Sequence, residues 1–95
     1  MTARCNDIEI QRELGTLDGW SRRGDALVKT FVFPTFVAAI AFVDRAAELA
    51  EEFAHHPDMD IRYSKVTMTL STHSAGGITE LDFVLARALE KANGL

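Results

Sequence analysis

Apolar and polar positions change period several times along the 95 residues, and each change marks an element. Residues 7–14 place Ile8, Ile10 and Leu14 among Glu9, Gln11, Arg12 and Glu13. This predicts a short helix capped by Asn6 or Asp7 and stopped at Gly15. Residues 20–23 then lead through Gly24 and Asp25 into residues 26–33, where Leu27, Phe31 and Phe33 alternate with Val28, Thr30 and Val32 around Lys29. A period of two on both sides of a Gly-containing break predicts a β-hairpin. Pro34 and Thr35 end the second strand. From Phe36 the residues Ile40, Val43, Ala47, Ala50 and Ala54 recur at helical steps, with Ala39, Phe42, Ala46, Leu49 and Phe53 beside them. The apolar stripe is wide, and Asp44, Arg45, Glu48, Glu51 and Glu52 form its wet side. Pro57 cannot continue the backbone ladder, so this helix should stop near His55.

Residues 61–72 read as strand, with Val66, Met68 and Leu70 on one face and Lys65, Thr67, Thr69 and Ser71 on the other. Ile61 and Tyr63 fall in the opposite phase, so either a bulge near Ser64 or two shorter strands is expected. Residues 74–77 form a turn. Thr79 and Asp82 have the spacing of a capping pair, opening a last helix whose Leu81, Val84, Leu85, Ala88, Leu89 and Ala92 share a face and which ends at Asn93 and Gly94. The order is helix, strand, strand, helix, one long or two shorter strands, helix. Each helix has a single broad apolar stripe to bury. The predicted fold is α+β in two layers, an antiparallel sheet of about four strands with three helices packed on one face.

Ninety-five residues suit one domain spanning 1–95, with too little chain for two separate cores. The formal net charge of minus four leaves no broad basic surface for phosphates and argues against nucleic acid as a partner. The longest apolar run, residues 31–43, is broken by Pro34 and Thr35 and falls well short of the roughly 20 residues that span a bilayer, so no membrane association is expected. The first ten residues carry Arg4, Asp7 and Glu9 and have no apolar core of a signal peptide. Cys5 is the single cysteine, which rules out an internal disulfide and fits a reducing cytoplasm; it lies in an N-terminal stretch expected to fray.

All three histidines stand at element ends: His55 and His56 before Pro57, and His73 after the Thr-rich strand. Imidazole titrates near pH 6.5, so this placement points to proton transfer or metal binding. Glu51 and His55 are four apart, which on a continuous helix makes them neighbours and lets the carboxylate orient the ring. The structural alternative is that both histidines simply serve the helix C-terminus and its unpaired carbonyls, and that His73 is a solvated loop residue. A metal site is disfavoured, because adjacent residues at a helix end point in different directions. No nucleophile elbow or phosphate loop surrounds Cys5 or the Gly76–Gly77 pair. Trp20 and Tyr63 offer faces for a planar ligand, although a lone tryptophan more often anchors a core.

Glu51, three spacers, His55-His56-Pro57, then Tyr63, Thr72-His73 and Asp82 after Gly77-Ile78-Thr79 together form a specific pattern. It resembles the pterin-4a-carbinolamine dehydratase family, and the likeness runs from Trp20 to the last helix. The resemblance implies a hydro-lyase that removes water from 4a-hydroxytetrahydrobiopterin, giving quinonoid dihydropterin after an aromatic amino acid hydroxylase has acted. It implies no metal and no organic cofactor. Carried over residue by residue, it makes His55 and His73 the acid and base, gives His56 the task of holding substrate, and makes Glu51 an orienting group. The flat, polar pterin edge is expected to meet Ser71, Thr72 and Ser74. Asp82 keeps the family's position, with a first-turn helix carboxylate as its alternative reading. One departure stands out: where the family commonly has an acidic residue and then tryptophan after His-His-Pro, this chain has Asp58 and Met59.

The resemblance also implies a homo-oligomer, dimer or tetramer, and an open sheet would supply an edge for pairing across a two-fold axis. Two rival readings remain from it. Mammalian members also act as dimerisation partners of a homeodomain transcription factor, which would make this chain a protein-binding module, and a molybdopterin-related species could replace biopterin as substrate. The expectation common to the enzyme readings is that folding gathers three imidazoles and a glutamate around one pterin-sized hollow.

Overall fold

The computed structural model describes residues 3–94. Helix α1 spans Asp7–Leu14, strands β1 and β2 span Ser21–Arg23 and Ala26–Val32, and helix α2 spans Phe36–Glu52. Strands β3 and β4 cover Asp58–Arg62 and Lys65–Leu70, a 3-10 turn covers His73–Ala75, and helix α3 covers Glu80–Asn93. The four strands form one antiparallel sheet in the order β1-β2-β4-β3. This is the α+β architecture that the hydrophobic pattern predicts.

Period-two alternation decides the two faces of the sheet. Leu27 and Phe31 of β2 and Val66, Met68 and Leu70 of β4 turn inward and are almost fully buried, while Thr30 and Thr67 bond to each other on the opposite face. The inward residues join Ile10 of α1, Ala39, Phe42, Ala46 and Leu49 of α2, and Phe83, Leu85, Ala86 and Leu89 of α3 in one core. Each large side chain buried there contributes roughly 1.5–3 kcal/mol. Trp20 also belongs to this core, edge-on to Phe31 at 6.0 Å between centroids, and its indole N–H donates to Glu90 at 2.9 Å. It is an anchor and not a ligand platform.

One open alternative is decided and two expectations change. Of the two readings of residues 61–72, that of two shorter strands holds, with β3 starting earlier, at Asp58, and β4 ending at Leu70. Tyr63 adopts a left-handed φ of 53° in the two-residue turn, and Ile61 pairs with Val66 across it, which accounts for the phase change. Helix α2 ends at Glu52, three residues before the predicted stop at His55, because Ala54 turns left-handed with φ 51°. The N-terminal segment is held in place: Cys5 donates its backbone N–H to Ile78 O at 2.8 Å, and Arg4 bridges to Thr79. Burial, followed by the negative charges of Glu9, Glu80, Asp82 and Glu13, raises the Cys5 thiol above its ordinary pKa. No helix of the described residues is long and apolar enough to cross a membrane.

Candidate active site

The end of α2 shapes the site. His55 N–H donates to Ala50 O at 3.0 Å and Ala54 N–H to Glu51 O at 3.2 Å, the paired bonds of a Schellman ending. The chain therefore reverses at Ala54 and carries His55 inward, leaving it 9% exposed. There its Nε2 lies 2.6 Å from Asp82 Oδ1. Asp82 is fully buried at the third position of α3, and its other oxygen accepts from Thr72 Oγ1 and from the Thr79 backbone N–H, both at 2.9 Å. A carboxylate can only accept, so Nε2 is the donating nitrogen of His55 in this bond.

Glu51 has a different partner from the one predicted. The helix does not continue to His55, so the four-residue spacing no longer makes neighbours, and Glu51 bonds to His56 Nε2 instead. Both members of that pair are solvent-facing, with side chains 77% and 64% exposed. The group that orients His55 is Asp82.

His73 opens the 3-10 turn and is exposed. Its neighbour Thr72 is buried and bridges to Gly77, so the turn is fixed to the start of α3 at the same point where Asp82 is held. Ser71 Oγ donates to Asp25 O at 2.8 Å, and Ser74 lies exposed on the turn. Thr79 is the site residue that the sequence did not mark. It reads only as a helix cap, yet its hydroxyl lies 2.7 Å from Thr72 Oγ1. Among the described residues no three His, Cys, Asp or Glu side chains converge as a metal-holding group.

Open clefts lie elsewhere. One of about 790 Å³ runs between α2 and α3 over Leu17, Leu49, Phe53 and Val84. Others of about 450 Å³ and 390 Å³ sit at Phe33–Phe42 and beside Cys5. None of the three is lined by a histidine, so these hollows do not meet the expectation of a pterin-sized cavity framed by three imidazoles: the buried His55–Asp82 pair and the exposed His56 and His73 lie outside their linings.

A family model described as Pterin 4 alpha carbinolamine dehydratase matches residues 3–92. The chain belongs to the pterin-4a-carbinolamine dehydratase family. It is 58% identical over 87 residues to a Thermomicrobium roseum protein named "Putative pterin-4-alpha-carbinolamine dehydratase", covering 92% of this chain and 94% of that one. A protein of the same name from Roseiflexus castenholzii is 54% identical over 91 residues, 96% of this chain and 98% of its own. The crystal structure of a transcriptional coactivator/pterin dehydratase from Brucella melitensis matches with a TM-score of 0.93 at 38% identity, over 96% of this chain and 99% of that one. A pterin dehydratase-like protein identified as a RuBisCO assembly factor in the alpha-carboxysome matches at 0.66 with 26% identity, over 79% and 87% of the two chains.

Within this dehydratase-family fold, Met59 occupies the place where the family resemblance leads one to expect tryptophan. It lies in β3 opposite Met68 and packs against the core.

Proposed function

We propose that this chain dehydrates 4a-hydroxytetrahydrobiopterin to quinonoid dihydropterin by histidine acid–base catalysis, recycling the pterin after an aromatic amino acid hydroxylase. The buried Asp82–His55 pair carries the reading: it is a desolvated, oriented imidazole in a chain whose other two imidazoles, His56 and His73, are exposed. Elimination breaks the C–O bond, delivers one proton to the departing oxygen and takes one from a ring nitrogen as the C=N bond forms. His55 and His73 supply those two transfers, each of which is worth roughly 10²- to 10⁴-fold. His56, oriented by Glu51, holds the substrate. The Ser71 and Thr72 hydroxyl protons are directed at protein acceptors, so the 71–74 segment meets the pterin edge through backbone groups and Ser74. The protein acts in the cytoplasm as a homodimer or homotetramer. β3 is a sheet edge with Ile61 40% exposed, and it is the surface that pairs two copies.

The test is stopped-flow decay of 4a-hydroxytetrahydropterin with the wild type and with His55→Ala, His56→Ala and His73→Ala. Loss of acceleration in the His55 and His73 variants is expected; wild-type protein that leaves the decay unchanged would refute the reading. A protein-binding role is favoured by one observation, the coactivator named in the Brucella melitensis structure. Under that reading His73→Ala would retain partner binding, whereas dehydration needs the imidazole.

A further inference from the structure

Proton counting fixes the direction of every bond around Asp82. Thr72 has one hydroxyl proton and directs it to Asp82 Oδ2 at 2.9 Å. Its oxygen can then only accept from Thr79 Oγ1, 2.7 Å away. Thr79 Oγ1 in turn accepts from Leu81 N–H at 3.2 Å. The Thr79 backbone N–H is the second donor to Oδ2. Thr72, Thr79 and Asp82 are all buried, so water does not compete for these bonds. Two donors therefore select Oδ2, and Oδ1 is left to face His55.

We propose that Thr72 and Thr79 are positioning residues that lock the Asp82 carboxylate in one orientation, hold His55 as the Nε2–H tautomer and make Nδ1 its proton-exchanging nitrogen. Thr72 also starts the turn that carries His73: its N–H donates to Gly77 O at 2.9 Å and its carbonyl accepts from Ala75 N–H at 3.0 Å. One buried threonine thus ties both candidate acid–base imidazoles to the same carboxylate. The catalytic half of this proposal rests on the dehydratase reading, and the tautomer half stands apart from it.

The distinctive consequence concerns Asp82→Asn. An asparagine must put its oxygen where the two donors point, which turns its NH₂ toward His55. Nε2 then has to accept, and the ring proton moves to Nδ1. A side chain not held by those two donors could turn its amide oxygen toward His55 instead and would impose no such switch.

The experiment is ¹⁵N NMR of histidine-labelled protein at about pH 8.5, above the ordinary imidazole range, with the His55 signals assigned by their loss in His55→Gln. The expected result is Nε2–H in the wild type and in Thr72→Ser, and Nδ1–H in Asp82→Asn. Wild-type His55 protonated on Nδ1, or Asp82→Asn retaining Nε2–H, would overturn the proposal. Should Asp82→Asn not fold, Thr72→Val decides. It should lower kcat about tenfold with KM within about twofold, as loss of a ring-orienting partner does, and Thr72→Ser should restore the rate. A Thr72→Val protein with wild-type kcat and ring spectra would also overturn the proposal. If the wild type has no dehydratase activity the enzyme reading fails, and the ring spectra alone still decide the tautomer.

Discussion

Asp82 and Glu51 each bond a histidine, yet removing them should have very different costs. Asp82→Ala removes a fully buried carboxylate that serves three donors: the Thr79 N–H, the Thr72 hydroxyl and the His55 ring. Losing the capping interaction costs about 1 kcal/mol. Leaving the hydroxyl and the ring N–H without buried acceptors costs about 1–3 kcal/mol each. Relief from desolvating a carboxylate offsets part of that sum, which leaves about 3–4 kcal/mol, in line with breaking a buried pair. Glu51→Ala breaks a pair whose side chains are 77% and 64% exposed, for which about 0–1 kcal/mol is expected. Trp20 is the single tryptophan and lies in the core, so its fluorescence reports global unfolding in urea. With a slope of about 1–1.5 kcal/mol per molar for a chain of this size, Asp82→Ala should lower the midpoint by about 2–4 M and Glu51→Ala by no more than about 1 M. Midpoints for the two variants lying within about 0.5 M of each other would refute the assignment of Asp82 as the buried organiser of the site.

Ala54→Gly should stabilise the protein by about 0.5–1 kcal/mol, since relief of roughly 1–2 kcal/mol of left-handed strain exceeds the extra entropy of the unfolded chain; a lower urea midpoint would contradict this. Because the Cys5 thiol titrates above its ordinary value, the fold holds this proton more tightly than the unfolded chain does. Iodoacetamide should therefore label it more slowly in the native than in the urea-unfolded protein at neutral pH, and stability should fall as pH rises past the ordinary thiol value of about 8.5. Equal labelling rates would remove that claim. Ile61→Lys should weaken self-association measured by sedimentation at micromolar concentration, and a monomeric wild type would dismiss the β3 edge as an interface.

The element order was legible because burial patterns are local: Leu27 and Phe31 against Thr30, or Val66, Met68 and Leu70 against Thr67, assign a sheet face without knowledge of the rest. The caps at Asn6 and Thr79 were legible for the same reason, as each is satisfied within three residues. Local pattern failed where one backbone angle decides the outcome. A left-handed Ala54 has no residue signature, glycine being the usual marker, and it moves His55 away from Glu51 and toward Asp82. The phase change near Tyr63 was legible, but not which of its two readings would hold: Tyr63 at positive φ makes the turn between two strands in place of a bulge. Asp82 was visible as a cap and as a family position, but its contact with His55 spans 27 residues of sequence, and only packing of α3 against α2 makes it. Thr79 remained hidden because its cap role already explains its presence.

Which surface receives the pterin tests the central claim most directly. A dihydropterin lacking the 4a-hydroxyl cannot react, and it can be titrated into ¹⁵N-labelled protein while ring and backbone signals are followed. The account predicts saturable shifts at His55, His56 and His73, with Leu49 and Val84 in the cleft of about 790 Å³ unmoved. Shifts confined to that cleft, with the three histidines unchanged at saturation, would contradict it.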